Sequence, residues 1–293
     1  MTDITLVAFD LDGTLLDSSN RIRRDSADAL RRLQEQGVFV TLITGRAYAS
    51  TEPYAREINL FTPFGLVHGA HVRDLQGLDL VKRIIPEVGV REALDLAFDL
   101  DLVPLLVDSG TQGGLVVCEE HREHPIVRFV LSPKGNDAEL QGAETTFIAA
   151  IEISIRAYAI YLIGENYKIE SFLGTAASQP VKLFHAERFP IHSQRSQPDL
   201  LVSHGVAMLS PMGADKGTAL EAVAETLGVP MNNTLAVGDW HNDLPMLAKA
   251  GYAAVMGNAP PEILNRIGHP NVYRTGTNDG TGIVDALARF GLF

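Results

Sequence analysis

A single cysteine, Cys118, and a single tryptophan, Trp240, occur in this chain of 293 residues. One cysteine excludes an internal disulfide and a zinc site built from several thiolates. A small buried hydrophobe is its expected role. No stretch approaches the ~18 consecutive apolar residues of a membrane span. A basic region with a cleavage site is also missing from the amino terminus, so a cytoplasmic protein with no membrane partner is expected. Positive charge is scarce as well: 24 Lys and Arg against 36 Asp and Glu give a formal net charge of -12. Broad nucleic-acid binding needs many cationic contacts to phosphates and is therefore not expected. A small phosphorylated substrate stays open, because a few local cations or one bound metal can dominate the field in a site. Internal repeats and low-complexity segments are absent, and oligomeric state has no signature in the sequence.

What is present suits a globular protein with a substantial core, with 46% hydrophobic and 20% charged residues. The length favours two domains. Leu6-Val7-Ala8-Phe9 runs straight into Asp10-Leu11-Asp12-Gly13-Thr14. A short apolar run closed by a turn reads as a strand of a parallel sheet, buried on both faces. A helix follows from a cap at Asp25-Ser26 to Gln36 and stops at Gly37. The strand Val38 to Ile43, a helix ending near Ile58 and the strand Phe64 to Val67 then continue a β-α-β-α-β pattern. After about Lys82 the pattern changes. A helix from Val90 to Leu100 precedes strands at Leu102 to Val107 and Leu115 to Cys118. Ile151, Ile153 and Ile155 alternate with polar residues as in a half-exposed strand. A helix at Asn166 to Leu173 and strands at Val181 to Phe184 and Gly205 to Leu209 complete an insertion with an antiparallel sheet. From Gly213 the first pattern returns, with a helix through Ala219 to Leu227, strands at Thr234 to Val237, Tyr252 to Met256 and Val272-Tyr273, and helices at Leu244 to Ala250, Pro261 to Ile267 and Gly282 to Phe290. The expected fold is α/β, a Rossmann-like doubly wound parallel sheet formed by residues 1–81 and 210–293. Residues 82–209 form an inserted α+β domain.

The carboxyl ends of parallel strands are where open α/β sheets bind ligands. Asp10 with Asp12, Thr44, and Asp239 with Asp243 all follow strands, and Lys216 lies at a helix start. Taken singly, each has a plain structural role: Asp12-Gly13 a turn, Thr44-Gly45 a strand-to-helix turn, Lys216 a solvated first-turn lysine, Asp243 before Pro245 a helix cap. Together they suit phosphoryl transfer through an aspartyl-phosphate. Attack by one anion on another needs charge compensation, and Asp10 and Asp239 are suited to Mg²⁺, a hard cation taking oxygen ligands. Lys216 would neutralise further phosphoryl charge, and the Thr44 hydroxyl and amide would hold a phosphoryl oxygen. Asp12 is placed to protonate the leaving oxygen. Three other features are weaker. His241 lies between Asp239 and Asp243 without a ligand set, His121 and His124 have helix-ligand spacing without a third ligand, and the glycine-rich run from Gly276 to Gly282 lacks the lysine of a P-loop.

Phe9-Asp10-Leu11-Asp12-Gly13-Thr14, Thr44-Gly45-Arg46, Lys216-Gly217 and Gly238-Asp239-Trp240-His241-Asn242-Asp243 resemble, in order, the four motifs of the haloacid dehalogenase superfamily. The position of the insertion resembles the C2-type cap of its Cof-type phosphatases. The resemblance implies that Asp10 is the nucleophile, Asp12 the acid and base, and Thr44 and Lys216 phosphoryl binders. It implies a Mg²⁺ site drawn from Asp10, Asp12, Asp239 and Asp243, with Asp243 supporting the metal or the lysine. Asn242 matches a phosphate-contacting position, and Gly45, Arg46 and Asn258 match substrate-side supports. His68 and Trp240 depart from the family, which often has Asn at both places. A phosphatase for small phosphate monoesters, sugar phosphates first, is thus expected. A sugar-phosphate phosphomutase, a receiver-like phospho-aspartate module and a carbon-halogen hydrolase are the weaker alternatives. The substrate-selecting residues of the insertion are not legible.

Overall fold

The structure, a computed structural model, describes residues 3–110, 113–131, 145–149, 156–189 and 203–292. The strand expected at Ile151, Ile153 and Ile155 lies outside them. The chain divides into two compact units, one of Met1–Gly45, Thr51–Val81 and Ala214–Phe293, the other of Arg46–Ser50 and Lys82–Gly213.

In chain order the first segment holds β1 (Leu6–Phe9), α1 (Arg24–Glu35), β2 (Phe39–Leu42), α2 (Tyr48–Glu57), β3 (Phe64–Leu66), β4 (His71–Arg73) and β5 (Asp79–Lys82). The insertion holds α3 (Glu87–Asp99), β6 (Val103–Asp108), β7 (Leu115–Cys118), α4 (Pro125–Leu131), β8 (Thr145–Ile148), β9 (Ala157–Glu165), α5 (Asn166–Ser178), β10 (Phe184–Phe189) and β11 (His204–Pro211). The return segment holds α6 (Lys216–Leu227), β12 (Thr234–Gly238), α7 (Leu244–Lys249), β13 (Tyr252–Val255), α8 (Pro261–Arg266), β14 (Val272–Arg274) and α9 (Gly282–Arg289). No helix among the described residues is long and apolar enough to cross a membrane.

The first unit is built on a parallel sheet of order β14-β13-β12-β1-β2. Every residue of β1 and β12 is buried, as their apolar runs require. Each such Leu, Val or Phe contributes about 2 kcal/mol by leaving water. Ala219, Leu220 and Val223 of α6 and Met246 and Leu247 of α7 pack with Leu6 and Ala8 in one core cluster. From β1 the chain first builds outward to β2, then returns on the other side through β12. Such a reversal of direction beside the first strand is where a ligand crevice opens.

Three expectations need correction in this unit. Phe64 to Val67 was expected to extend the parallel sheet, but β3 meets it only through one parallel bridge, Gly65 to Ile43. It pairs antiparallel with β4 in a separate sheet of order β3-β4-β5. The cause is the turn after Leu66, where Val67, His68 and Gly69 take φ of +46°, +52° and +91° and fold the chain back. Val67 is also no strand residue for the same reason. Asp25 does not cap α1, since the helix starts at Arg24; its carboxylate accepts from the Ser26 amide at 2.9 Å and pairs with Arg23 at 3.1 Å.

The second unit carries a six-stranded sheet of order β10-β11-β9-β6-β7-β8. β9 is central and buried along nearly its whole length. Its pairings with β6 and β11, and those of β10 with β11 and β6 with β7, are antiparallel as expected, but β7 and β8 pair in parallel. The strand placed at Val181 to Phe184 begins only at Phe184, opposite Pro211, and Val181 is exposed. Cys118 is buried at the end of β7.

Candidate active site

The register of the sheet brings the candidate residues to one edge. Phe9 stands opposite Leu42 on one side and Val237 on the other, so Asp10, Thr44 and Asp239 emerge within two residues of a common level. The Asp10 amide donates to Val237 O at 3.0 Å, which fixes the start of the turn. Residues Leu11–Leu15 wind into a wide turn closed by Leu15 N to Asp10 O at 3.3 Å and Leu16 N to Leu11 O at 2.9 Å. Gly13 adopts φ +76°, and a Cβ there would lie 2.4 Å from Asp239 Oδ2, so the position excludes any side chain on two grounds. Thr14 Oγ1 donates to Asp239 Oδ1 at 3.0 Å. Asp12, half-buried, sits on this turn two residues after Asp10.

Lys216 is delivered by a helix start. Asp215 caps α6 by accepting from the Thr218 amide at 2.7 Å, and the Thr218 hydroxyl answers by accepting from the Asp215 amide at 3.2 Å. This reciprocal box holds Lys216 as the first residue of the helix. Its ammonium, 2% exposed, donates to Asp10 Oδ1 at 2.7 Å and Asp243 Oδ1 at 2.6 Å. The second oxygen of Asp243 accepts from the amides of Asp239 and Trp240 at 2.8 and 2.9 Å. Gly238 is needed beneath it, since a Cβ would come 2.7 Å from the Asp243 side chain.

Charge is unbalanced in this site. One ligand oxygen from each of Asp10, Asp239 and Asp243 lies within 4.8 Å of the others, and all three residues are buried. Burial pushes the Asp10 carboxyl well above its ordinary range and the Asp243 charge adds to that, while Lys216 offsets part. Burial, then Asp243, pushes Asp239 up to about 7 against the pull of Thr14 and Lys216. For Lys216, burial favours the neutral amine, but attraction to Asp10 and Asp243 and the hydrogen bonds to both overcome it, so the ammonium is held above its ordinary range. Three carboxylates with one ammonium form an all-oxygen donor set with negative charge to spare, which suits a hard divalent cation. The Asp12 carboxylate, expected as a fourth metal ligand, is not in this group among the described residues.

Thr44 is fully buried; its amide, expected on a phosphoryl oxygen, instead donates to Gly65 O at 2.9 Å, and its carbonyl accepts from His68 N at 3.1 Å. Gly45 follows it in the first unit, while Arg46, buried, is grouped with the second. Asn242 lies in the short turn before α7, with its Oδ1 buried. Asn258 Nδ2 donates to Gly13 O at 2.8 Å and to Asp239 Oδ2 at 3.1 Å, so in this structure it braces the turn. His241 faces Arg266 and Glu262, at 3.2 and 3.5 Å, away from the carboxylate group. His121 and His124 lie edge to face in the second unit, 6.4 Å between ring centroids. The sequence reading assigned no task to Thr14. Its hydroxyl, four residues after Asp10 in the same turn, was the available signal.

Comparison with known proteins gives a consistent result. A model of the family described as haloacid dehalogenase-like hydrolase matches residues 7–287. The chain is 26% identical to the 5-amino-6-(5-phospho-D-ribitylamino)uracil phosphatase YitU of Bacillus subtilis over 97% of both chains. It is 28% identical to an HMP-PP phosphatase of Serratia proteamaculans over 90% of both. A haloacid dehalogenase-like hydrolase from Bacteroides thetaiotaomicron, of solved structure, superposes with a TM-score of 0.79 at 24% identity, covering 99% of this chain and all of the other. That last likeness speaks to the fold.

Proposed function

Since the chain belongs to the haloacid dehalogenase-like hydrolases, we propose that it is a Mg²⁺-dependent phosphatase that cleaves small phosphate monoesters through an aspartyl-phosphate on Asp10. The observation that carries this reading is the buried Lys216 ammonium spanning Asp10 and Asp243 at 2.7 and 2.6 Å. A lysine so held gives the nucleophilic carboxylate one fixed orientation and leaves positive charge where phosphoryl charge would gather.

The steps follow from the residues. A carboxylate oxygen of Asp10 bonds to phosphorus as the ester P–O bond breaks, and Asp12 gives its proton to the departing oxygen. Asp12, now a carboxylate, takes a proton from the water that attacks the same phosphorus. The bond between Asp10 and phosphorus breaks, inorganic phosphate leaves, and both carboxyl groups return to their first states. Thr44 and Lys216 hold phosphoryl oxygens during both transfers, with Asn242, Gly45 and Arg46 as further supports. Mg²⁺, held by Asp10 and Asp239, would supply positive charge against the phosphoryl oxygens. Asp243 accepts from Lys216 and from two backbone amides, and its part is to organise the site beside the metal. Asp12 is reserved for the proton.

The relatives named for a ribitylamino-uracil phosphate and for HMP-PP support small phosphorylated metabolites as substrates without choosing one. A screen of phosphate release over sugar phosphates, nucleotides and heterocycle-bearing phosphates, with Mg²⁺ and with chelator, tests the reading. Mg²⁺-dependent release that Asp10→Asn abolishes is expected. Isomerisation of a sugar phosphate without release would favour a phosphomutase instead.

A further inference from the structure

The loop from Gly276 to Gly282 has the composition of a phosphate cradle but makes a different set of bonds. Gly282 packs so tightly that a Cβ would lie 2.4 Å from Gly276 O, and Gly280 N and Gly282 N both close on Thr277 O at 3.0 and 3.3 Å. Gly257 N donates to Gly276 O at 2.8 Å, which seats the loop beside Asn258. From there it reaches back more than 250 residues to the turn after Asp10. Asn278 Nδ2 donates to Leu16 O at 2.9 Å, and Asn278 N donates to Asn258 Oδ1 at 3.1 Å. Asp279 Oδ1 accepts from Ser18 N at 2.7 Å, while Asp279 O accepts from Arg23 Nη1 at 3.0 Å. Leu16 and Ile22 pair antiparallel, so residues 16–22 form a small hairpin held at its entry by Leu16 and at its exit by Arg23. Asn258 passes the same connection to Gly13 O and Asp239 Oδ2.

Asp12 lies on the segment between these two anchor points, Asp10 at the strand end and Leu16 at the hairpin. The turn contains a glycine at φ +76°, which supplies no stiffness of its own. Its geometry is set by its own backbone bonds, by Thr14 and Asn258 at its middle, and by what grips its far end. We infer that Asn278 and Asp279 are positioning residues for proton transfer by Asp12: they clamp the hairpin at Leu16, Ser18 and Arg23 and thereby fix where the Asp12 carboxyl stands relative to Asp10. This rests on the phosphatase reading for its chemistry, though the clamp itself does not.

General acid help matters for an alkyl phosphate, whose leaving oxygen is a strong base, and little for p-nitrophenyl phosphate, whose leaving group departs as a stable anion. The experiment compares kcat/KM for glucose 6-phosphate or another accepted alkyl phosphate with that for p-nitrophenyl phosphate, in Asn278→Ala, Asp279→Ala and Asp279→Asn. Amide hydrogen exchange over residues 11–23 is followed alongside. Asn278→Ala and Asp279→Ala should lower the alkyl value about tenfold more than the aryl one and speed exchange in residues 13–20 about tenfold, as loss of one hydrogen bond implies. Asp279→Asn keeps the acceptor for Ser18 and should restore both. Equal losses on the two esters, or unchanged exchange, would overturn the inference. If wild-type protein released phosphate from neither ester, the phosphatase reading would fail while the exchange data still decided the clamp.

Discussion

Lys216 Nζ donates to Asp243 Oδ1 at 2.6 Å, while the other oxygen of Asp243 accepts from the amides of Asp239 and Trp240. Asp243 thus joins the start of α6 to the end of β12 and aims a cation at Asp10. An asparagine there can accept with only one atom and would point an N–H at either the ammonium or the amides. Asp243→Asn should lower kcat about 100-fold, the loss typical of one charge-stabilising contact, and cost about 2 kcal/mol of stability through the unpaired buried group. Steady-state kinetics with a thermal melt check both. Unchanged kcat would show that Lys216 needs no such partner.

Glycine substitutions separate backbone strain from site geometry. Gly13 and Gly37 have φ of +76° and +81°, but a Cβ at Gly37 meets nothing within 4 Å. Gly37→Ala should cost about 1–2 kcal/mol from the left-handed backbone alone and leave kcat intact. Gly13→Ala carries the same strain and also drives into Asp239, so both melting temperature and activity should fall. Equal activity in the two variants would remove Gly13 from the site.

Proton linkage fixes a pH dependence. Asp239 is pushed up to about 7 in the folded chain from 3.8, and burial moves Asp10 in the same direction. The folded state therefore binds these protons more tightly than the unfolded state. The stability they lend is full below pH 3.8 and is lost as pH rises through about 7. With chelator present, the melting temperature should fall between pH 5 and pH 8. Bound Mg²⁺ replaces the proton, so its affinity and the melting increment it gives should rise over the same range. An increment larger at pH 5, measured by thermal melts with and without Mg²⁺, would contradict this.

Trp240, the only tryptophan, donates its amide to Asp243 beside Asp239. Its fluorescence should change on adding Mg²⁺ or a phosphate analogue such as orthovanadate, and the change should vanish in Asp239→Asn. A signal indifferent to both ligands would place metal and phosphate elsewhere.

The acid pair was legible because an apolar strand buried on both faces must end somewhere, and polar residues just past that end mark the sheet's edge. Asp239 and Lys216 were legible in the same way, one after a strand and the other at a helix start. Whether Asp243 supports the metal or the lysine was left open, since a partner 27 residues upstream decides which charge each oxygen meets. The fate of Phe64 to Val67 was hidden for a local reason: a left-handed valine has no favourable sequence signal, and Val67 with His68 turns β3 out of the parallel sheet. Gly276 to Gly282, set aside for want of a P-loop lysine, is a loop closed on itself, but what it holds was hidden. Its glycines permit close packing of the loop on itself, and its partners Leu16, Ser18 and Arg23 lie in the first 25 residues, beyond the reach of any local pattern.

The central claim is that Asp10 carries the phosphoryl group. Acid-quenched protein taken during turnover of p-nitrophenyl phosphate with Mg²⁺, digested and weighed by mass spectrometry, tests it most directly. In Asp12→Ala, which can form the phosphoenzyme but lacks the base to hydrolyse it, a phosphoryl adduct should accumulate on the peptide containing Asp10, and Asp10→Asn should show neither adduct nor turnover. Turnover that persists in Asp10→Asn, or an adduct on another residue, would contradict the account.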